Sequence, residues 1–278
     1  MCGSRIVSEA ARLSAEPGTE GGLVLVDKPV GPSSFAVVKS LRAAYGLKAG
    51  HAGTLDPFAS GLLLVLLGRA TRLARYLVGL DKRYETEIRL GSRTTTGDLE
   101  GDELEGTEIA TRKQIEALRG PVELPVPAAS AVKIAGERAY RLHRRGVAVE
   151  MPLRLSTIHS LEIVRYEPPR AVLALHVSSG TYVRAIADAL GGHCVALRRT
   201  EVGPFPIDAA SETRVLPPLT AVSFLPRRDL DAEERRLIAT GREIEGVAEG
   251  PVALTLGPEL VAIGRSNGKA IRPETVLA

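Results

Sequence analysis

The chain has 278 residues, of which 44% are hydrophobic and 25% charged, with a formal net charge of +3. This length is enough for one large domain and a small one, and the slight basic excess permits a nucleic-acid partner without requiring one. Its two cysteines exclude a disulfide framework and form no CxxC pair, so we expect a cytoplasmic protein without a zinc site.

Ordered structure is predicted to begin at Gly22. Residues 1–21 lack the apolar core of a signal peptide and are interpreted as a mobile N-terminal tail. The apolar runs 23–26 and 62–67 predict two buried strands. The second run is the longest of the chain and is too short to span a bilayer, so no membrane association is expected.

A helix is predicted between these two strands. Ser33 or Ser34 can cap its N-terminus, and Gly46 is expected to end it. The apolar residues predicted to share one side of this helix are Phe35, Val38 and Leu41. Residues 69–80 also repeat leucines at helical spacing, with arginines on the other faces.

The middle of the chain mixes strand and helix patterns. Residues 83–90 alternate between polar and apolar side chains, which predicts a half-buried strand. Residues 111–114 form a capping box that opens a helix predicted to close at Gly120. A strand at 171–177 and a helix at 181–190 follow.

A change in composition near residue 226 indicates a domain boundary. A helix at 231–240 follows this boundary, and two short strands come after it. The architecture is therefore predicted to be α+β, with a large first domain at 22–225 and a small β-rich second domain at 226–278.

Charge is distributed unevenly along the chain. Residues 69–93 and 133–145 are rich in lysine and arginine, whereas residues 94–124 are rich in acids. Charge alone is equally compatible with solvated helix and loop faces and with two basic walls of a groove for a phosphate backbone.

The segment most informative about chemistry is GHAGTLDPFASGLL, at residues 50–63. It places a lone carboxylate, Asp56, in an apolar setting. Gly53 and Gly61 allow unusual turns or a close approach of the backbone to a ligand, and Pro57 restricts the chain after the acid. From these residues alone, an aspartate that caps an ordinary turn is the commoner outcome.

This segment closely resembles the signature G-H-x-G-T-L-D-P-x-A-x-G-L-L of the TruB-type pseudouridine synthases. Other segments that resemble the family follow in the same order and cover most of residues 22–210: 27–34, 81–84, 89–98, 130–140, 179–184 and 197–199. The resemblance implies a pseudouridine synthase catalytic domain built on a mixed, mainly antiparallel sheet. Residues 241–278 resemble a PUA-like RNA-binding module less specifically, and a small structural cap is the alternative.

The resemblance also implies a reaction. A uridine in the T-loop of tRNA is flipped out, its N1–C1′ bond is broken, and the base is re-attached through C5, without a metal or other cofactor. Asp56 is the implied nucleophile and Arg184 its ion-pair partner. Whether Asp56 attacks C1′ or acts through elimination stays open.

Several further residues receive roles from the resemblance. Tyr84 is implied to contact the target base as part of the catalytic set, with Tyr182 and Leu197 in the same pocket. His51 is implied to fill the gap that the flipped base leaves in the RNA, and Asp98 maps to an acidic position near the active site. The residues alone favour structural roles for three of these positions: Tyr84 in the core, His51 in a loop and Leu197 in packing. For Asp98, a solvated loop position is an equal alternative.

Residues 133–145 correspond to an RNA-gripping insertion of the family, called the insertion below. Its predicted RNA contacts are Lys133, Arg138, Arg141, Arg144 and Arg145. We expect their substitution to weaken tRNA binding and its salt dependence.

Three positions depart from the family pattern. Ala129 stands where the family has an aromatic residue, Thr95 replaces an acid, and the segment from Leu190 to Leu197 is several residues shorter. These departures leave the rim of the pocket and the placement of Leu197 open. Two other hypotheses are a related synthase for ribosomal or guide-directed RNA, and an RNA-binding or tRNA-folding protein without turnover. The chain is expected to be a monomer.

Overall fold

The computed structural model describes residues 21–130, 132–134, 136–147 and 149–277. Residues 1–20, nearly all of the predicted tail, and the side chain of Arg144 lie outside the described residues.

The first domain is mainly a β-structure with short helices. Its described strands are β1 (Leu23–Lys28), β2 (Ala49–His51), β3 (Ser60–Leu67), β4 (Lys82–Leu90), β5 (Ser92–Thr94), β6 (Glu103–Gly106), β7 (Gly120–Pro125), β8 (Lys133–Ile134), β9 (Glu137–Arg138), β10 (Leu153–Glu167), β11 (Arg170–Val177), β12 (Gly192–Val202), β13 (Phe205–Pro206) and β14 (Ser211–Leu216). Its described α-helices are α1 (Ser34–Tyr45), α2 (Ala74–Val78), α3 (Arg112–Glu116), α4 (Ala139–Arg144), α5 (Val183–Ala189) and α6 (Pro218–Ala221). Two 3₁₀ turns, at Gly68–Leu73 and Ile207–Ala209, complete the domain.

A second sheet forms the C-terminal part of the chain. Its elements are β15 (Arg227–Asp229), α7 (Ala232–Ala239), β16 (Ile244–Glu245), β17 (Pro251–Leu256), β18 (Glu259–Ser266) and β19 (Ala270–Val276). The strand order is β15-β17-β18-β19-β16. The predicted α+β architecture with a β-rich C-terminal part is therefore confirmed.

The large sheet of the first domain is mixed and mainly antiparallel, as expected. Its strand order is β14-β1-β3-β12-β4-β11-β10-β7, with β2 paired to β3 and β13 to β12. Within the described residues, β3 and β12 form its parallel pair. Strand β3 is apolar along its length because both of its faces are buried: Leu63 and Val65 pack with α1 and α5, whereas Leu62 and Leu64 face the opposite cluster.

The two domains share that opposite cluster and several polar contacts. Arg69 Nη1 donates to the Leu277 carbonyl at 2.9 Å, and Arg72 Nη1 to the Val276 carbonyl at 2.6 Å. The Tyr76 hydroxyl lies 3.0 Å from Thr275 Oγ1. The arginines at the start of the basic segment 69–93 therefore bind the second domain instead of lining an open groove.

Helix α1 corrects one prediction. Ser33 is the N-cap, its Oγ accepting from the Ala36 amide, and Gly46 ends the helix in the left-handed conformation. Val38 is buried as predicted, but Phe35 is 72% exposed. Each helical residue advances about 100° around the axis, so Ser34, not Phe35, takes the buried side in the first turn.

Helix α3 carries the predicted capping box between Thr111 and Gln114 but ends at Glu116, since Gly120 already begins β7. Within the described ranges, every helix falls short of the length and apolarity that crossing a membrane requires.

Candidate active site

The loop 52–59 between β2 and β3 carries Asp56 and is called the catalytic loop. The Ala52 amide donates to the Leu64 carbonyl at 2.9 Å, and the Ala59 amide donates to the Asp56 carbonyl at 3.1 Å. The backbone on either side of Asp56 is thus fixed by hydrogen bonds.

Arg184 of α5 holds the Asp56 carboxylate. Its Nε donates to Asp56 Oδ2 at 2.9 Å, its Nη1 to the Thr96 carbonyl at 2.6 Å and its Nη2 to the Ala129 carbonyl at 3.0 Å. The Arg184 side chain is 3% exposed, whereas that of Asp56 is 34% exposed. A buried guanidinium therefore orients an acid that a ligand can still reach.

Asp98 lies near the same nitrogen of the Arg184 guanidinium. Its Oδ2 is 3.6 Å from Arg184 Nε, and its Oδ1 accepts from Thr96 Oγ1 at 2.6 Å and from the Glu100 amide at 3.0 Å. Asp98 is buried, so it is not a solvated loop acid. Its contacts position Arg184, and its buried side chain leaves little surface for substrate.

Lys28 and Ser34 support the catalytic loop by binding its backbone. Lys28 Nζ donates to the Pro32 carbonyl at 2.9 Å and to the Pro57 carbonyl at 3.4 Å. Burial lowers the pKa of Lys28 to about 8, against the opposing attraction of Asp56. Ser34 Oγ binds both the amide and the carbonyl of Leu55, each at 2.8 Å.

Arg199 of β12 is a further support, which sequence analysis did not single out. This buried side chain donates from Nε to the Leu62 carbonyl at 2.7 Å and from Nη2 to the Gly53 carbonyl at 3.1 Å. A Cβ on Gly61 would lie 2.2 Å from the Arg199 carbonyl, so glycine is required where β3 approaches β12. Only its place in the Leu-Arg-Arg segment pointed to this residue.

The three residues predicted to form the pocket belong to, or pack against, one hydrophobic cluster. Tyr84 on β4 and Leu197 on β12 are buried in the same cluster as Leu55, and Tyr182 packs against that cluster. The Arg154 guanidinium lies 6.0 Å from the centroid of the Tyr182 ring. Strand pairing places Leu197 opposite Thr86, two residues along β4 from Tyr84, and the shared pocket with Tyr182 stays a prediction.

His51 ends β2, immediately before the catalytic loop. Its Nδ1 is buried and has no hydrogen-bond partner in the described part of the chain. Burial, and secondarily the charge of Arg199, lowers the pKa of His51. The imidazole is thus predominantly neutral at neutral pH.

The insertion contains the strand pair β8–β9 and helix α4. Arg145 Nη2 is paired with Glu137 Oε2 at 2.8 Å, and Arg141 lies 5.9 Å from the Tyr140 ring. Lys133 and Arg138 are exposed and are opposed in register on β8 and β9. These four side chains belong to one surface element.

The departures from the family pattern leave this geometry intact. Ala129 contributes its backbone carbonyl to Arg184, a contact independent of the missing aromatic side chain. Thr95 binds Asp102 through backbone and hydroxyl, closing the turn that carries Asp98. The short connection after Leu190 turns at Gly191, and β12 then places Leu197 opposite Thr86.

Among the described residues, no group of three or more His, Cys, Asp and Glu side chains is arranged to hold a metal ion. Metal independence stays a prediction.

Comparisons with known proteins first define the class. The solved structure described as "Crystal Structure of a Cbf5-Nop10-Gar1 Complex" matches with a TM-score of 0.68 and 27% identity, over 92% of this chain and 85% of that chain. The match covers both the large mixed sheet and the separate C-terminal sheet, so the two proteins share this fold.

Sequence comparisons then give the family. The model for the TruB family pseudouridylate synthase N-terminal domain matches residues 39–183. A "tRNA pseudouridine synthase B" of Paenarthrobacter aurescens is 39% identical, over 92% of this chain and 95% of the relative. One of Mycobacterium sp. (strain KMS) is 42% identical, over 82% and 85%. The chain belongs to the TruB family of pseudouridylate synthases, which are isomerases.

Proposed function

We propose that this protein converts the T-loop uridine of tRNA to pseudouridine, with Asp56 as the nucleophile. The observation that carries the proposal is the reachable Asp56 carboxylate, held at 2.9 Å by a buried Arg184 whose three nitrogens all donate hydrogen bonds. The relatives named tRNA pseudouridine synthase B support tRNA as the substrate.

The target uridine is stacked inside the folded T-arm and must be extruded, at a cost of a few kcal/mol. Stacking on an aromatic ring returns about 1–3 kcal/mol per base, and Tyr84 would provide it. His51, uncharged and next to the catalytic loop, suits the space that the extruded base leaves between its neighbours.

The Asp56 carboxylate acts on the ribose. Breaking the N1–C1′ bond leaves an electron-poor sugar, which an adjacent anion stabilises, as in glycoside cleavage. The Arg184 guanidinium lies 2.9 Å from the Asp56 carboxylate, and the ammonium of Lys28 is a second positive charge nearby. Direct attack at C1′ and elimination both require this anion.

The atoms balance without a cofactor. The N1–C1′ bond breaks, the base turns so that C5 faces C1′, and a C5–C1′ bond forms. C5 then loses its proton while N1 gains one, so the product is an isomer of the substrate.

RNA binding is assigned to two further regions. The exposed cations of the insertion would contact phosphates, and the C-terminal sheet, as a PUA-like module spanning residues 226–278, would hold tRNA away from the reacting base. The enzyme would work as a cytoplasmic monomer, since the faces of the large sheet bury their apolar residues within one chain.

The test is to incubate the purified protein alone with an unmodified tRNA transcript and map pseudouridine along it. We expect one modified site, in the T-loop, and no product from a matched transcript with cytidine at that site. Product only at another site, or only after a guide RNA or partner protein is added, would favour the related synthases instead. Tight binding without product would favour the tRNA-folding alternative.

A further inference from the structure

One side of α1 presents an aromatic ring and two cations to solvent. Phe35, Lys39 and Arg42 follow each other at spacings of four and three residues, which places them on one stripe of the helix. Phe35 is 72% exposed, and nearby Val30, in the turn before α1, is 65% exposed.

Among the described residues, the two cations of this stripe are not matched to acids. Many surface arginines are matched to acids, for example Arg170 to Glu87 at 3.0 Å and Arg265 to Glu274 at 2.8 Å. Helix α1 contains no acidic residue, and neither of its two cations forms an ion pair within the described ranges. A single exposed phenylalanine is ordinary, but one aligned with unpaired cations is typical of RNA-binding surfaces.

Hydrogen bonds connect the helix that carries this stripe to the catalytic loop. Helix α1 begins at Ser34, whose hydroxyl binds both backbone groups of Leu55, the neighbour of Asp56. The Gly31 amide also donates to the Pro57 carbonyl at 2.8 Å. A ligand that binds this stripe therefore contacts a rigid unit that includes the nucleophile.

We propose that Val30, Phe35, Lys39 and Arg42 form a second RNA-binding surface, called the α1 surface. Phe35 stacks on an unpaired base, and the two cations bind phosphates of the strand that flanks the extruded nucleotide. RNA is favoured over a protein partner because the charged groups of the surface are both cationic and an aromatic ring lies in line with them, so a partner that is anionic and offers flat rings fits it best. The inference rests on the proposed function for the identity of this RNA.

The absence of tryptophan from the chain provides a direct test of stacking. Phe35→Trp introduces a single indole, and stacking on a base quenches its fluorescence. We expect saturating unmodified tRNA to reduce this emission by at least half. The matched control is Val164→Trp on β10, where the wild-type side chain is 59% exposed and lies outside the α1 surface; its emission should change little. Unchanged Phe35→Trp emission while tRNA is bound would overturn the proposal.

Charge removal tests the phosphate contacts. The double substitution Lys39→Gln with Arg42→Gln should raise the Kd for tRNA about tenfold. It should also reduce the slope of log K against log salt by roughly 1.4–1.8, at about 0.7–0.9 per contact. The matched control, Lys113→Gln with Arg165→Gln, removes one lysine and one arginine from exposed positions elsewhere.

The two proposals fail separately. If the wild-type protein makes no pseudouridine, the proposed function fails, whereas the binding measurements still decide the α1 surface. If the wild type is active but the Lys39/Arg42 variant keeps its Kd and salt slope, only the α1 surface is wrong, and a protein partner becomes the better explanation of the stripe.

Discussion

The catalytic loop and the insertion are built in opposite ways. Buried side chains hold the loop: Lys28, Ser34 and Arg199 bind its backbone, and Arg184 binds the Asp56 carboxylate. The insertion consists of two-residue strands and a short helix, with an exposed ion pair between its charged residues. The difference indicates that the fold preorganises the reacting group and leaves RNA contact to a lightly supported surface. Substitutions in the loop should therefore reduce the chemical step, and those in the insertion should reduce affinity.

Arg184 binds Asp56 with one nitrogen and, with another, the carbonyl of Ala129, shortly before the insertion in sequence. Among the residues that support or surround Asp56, removing this side chain should have the largest effect. We expect Arg184→Met to lower the single-turnover rate about 10²–10³-fold, because removing one preorganised group that orients the reacting charge typically costs about that much in rate. The measurement is quenched-flow or manual single-turnover formation of pseudouridine at saturating enzyme. Arg170→Met, at an exposed ion pair, is the control, and a rate for Arg184→Met within fivefold of wild type would remove the pair from the mechanism.

Arg199 tests whether hydrogen bonds to the backbone around the catalytic loop also matter for activity. Arg199→Met would leave the Leu62 and Gly53 carbonyls unpaired, at about 1–3 kcal/mol for each buried group. We expect a lower free energy of unfolding and a kcat reduced about tenfold or more, with a smaller change in KM. Arg199→Lys, which keeps the charge and one or two of the bonds, should recover part of the rate. Equal activity of the Met variant and the wild type would show that the loop needs no such support.

Substitutions in the insertion should weaken the binding of tRNA. Lys133→Gln combined with Arg141→Gln should raise the Kd for tRNA about tenfold and lower its salt slope, while kcat at saturating tRNA changes less. Arg145→Gln should have a smaller effect, because Glu137 already neutralises that cation. Filter binding at several salt concentrations measures both quantities. A variant that loses kcat but keeps its Kd would contradict the contrast between the two regions.

The smallest expected effect is on stability at alkaline pH. Burial lowers the pKa of Lys28 from 10.5 to about 8, so between these pH values the unfolded chain binds more protons than the folded one. The free energy of unfolding contributed by Lys28 should therefore increase as pH rises from 8 towards 10.5. Urea unfolding across this range should show a shallower rise for Lys28→Met than for wild type. Lys113→Gln, at an exposed position, should leave the slope unchanged, and an identical slope in the Met variant would contradict the assigned cause.

Local patterns predicted much of the fold. Alternation located β4, apolar runs located β1 and β3, and a capping box located the start of α3. These signals depend on neighbours in sequence, so they are legible without tertiary structure.

Local patterns could not predict contacts between segments that are distant in sequence. Asp56 and Arg184 are 128 residues apart, and only the family resemblance linked them before the structure placed them together. The bonds from Arg199 to the catalytic loop depend on the parallel register of β3 and β12, and the exposure of Phe35 depends on how α1 is rotated against the sheet. The roles of the site residues stay predictions that the substitutions above test.

The most direct test of the central claim is the single-turnover comparison of wild type with Asp56→Asn, which removes the negative charge and keeps the shape of the side chain. If the Asp56 carboxylate reacts, the variant should bind unmodified tRNA with a Kd within about threefold of wild type and form no detectable pseudouridine. Product formation by Asp56→Asn at a rate within about tenfold of wild type would contradict the account.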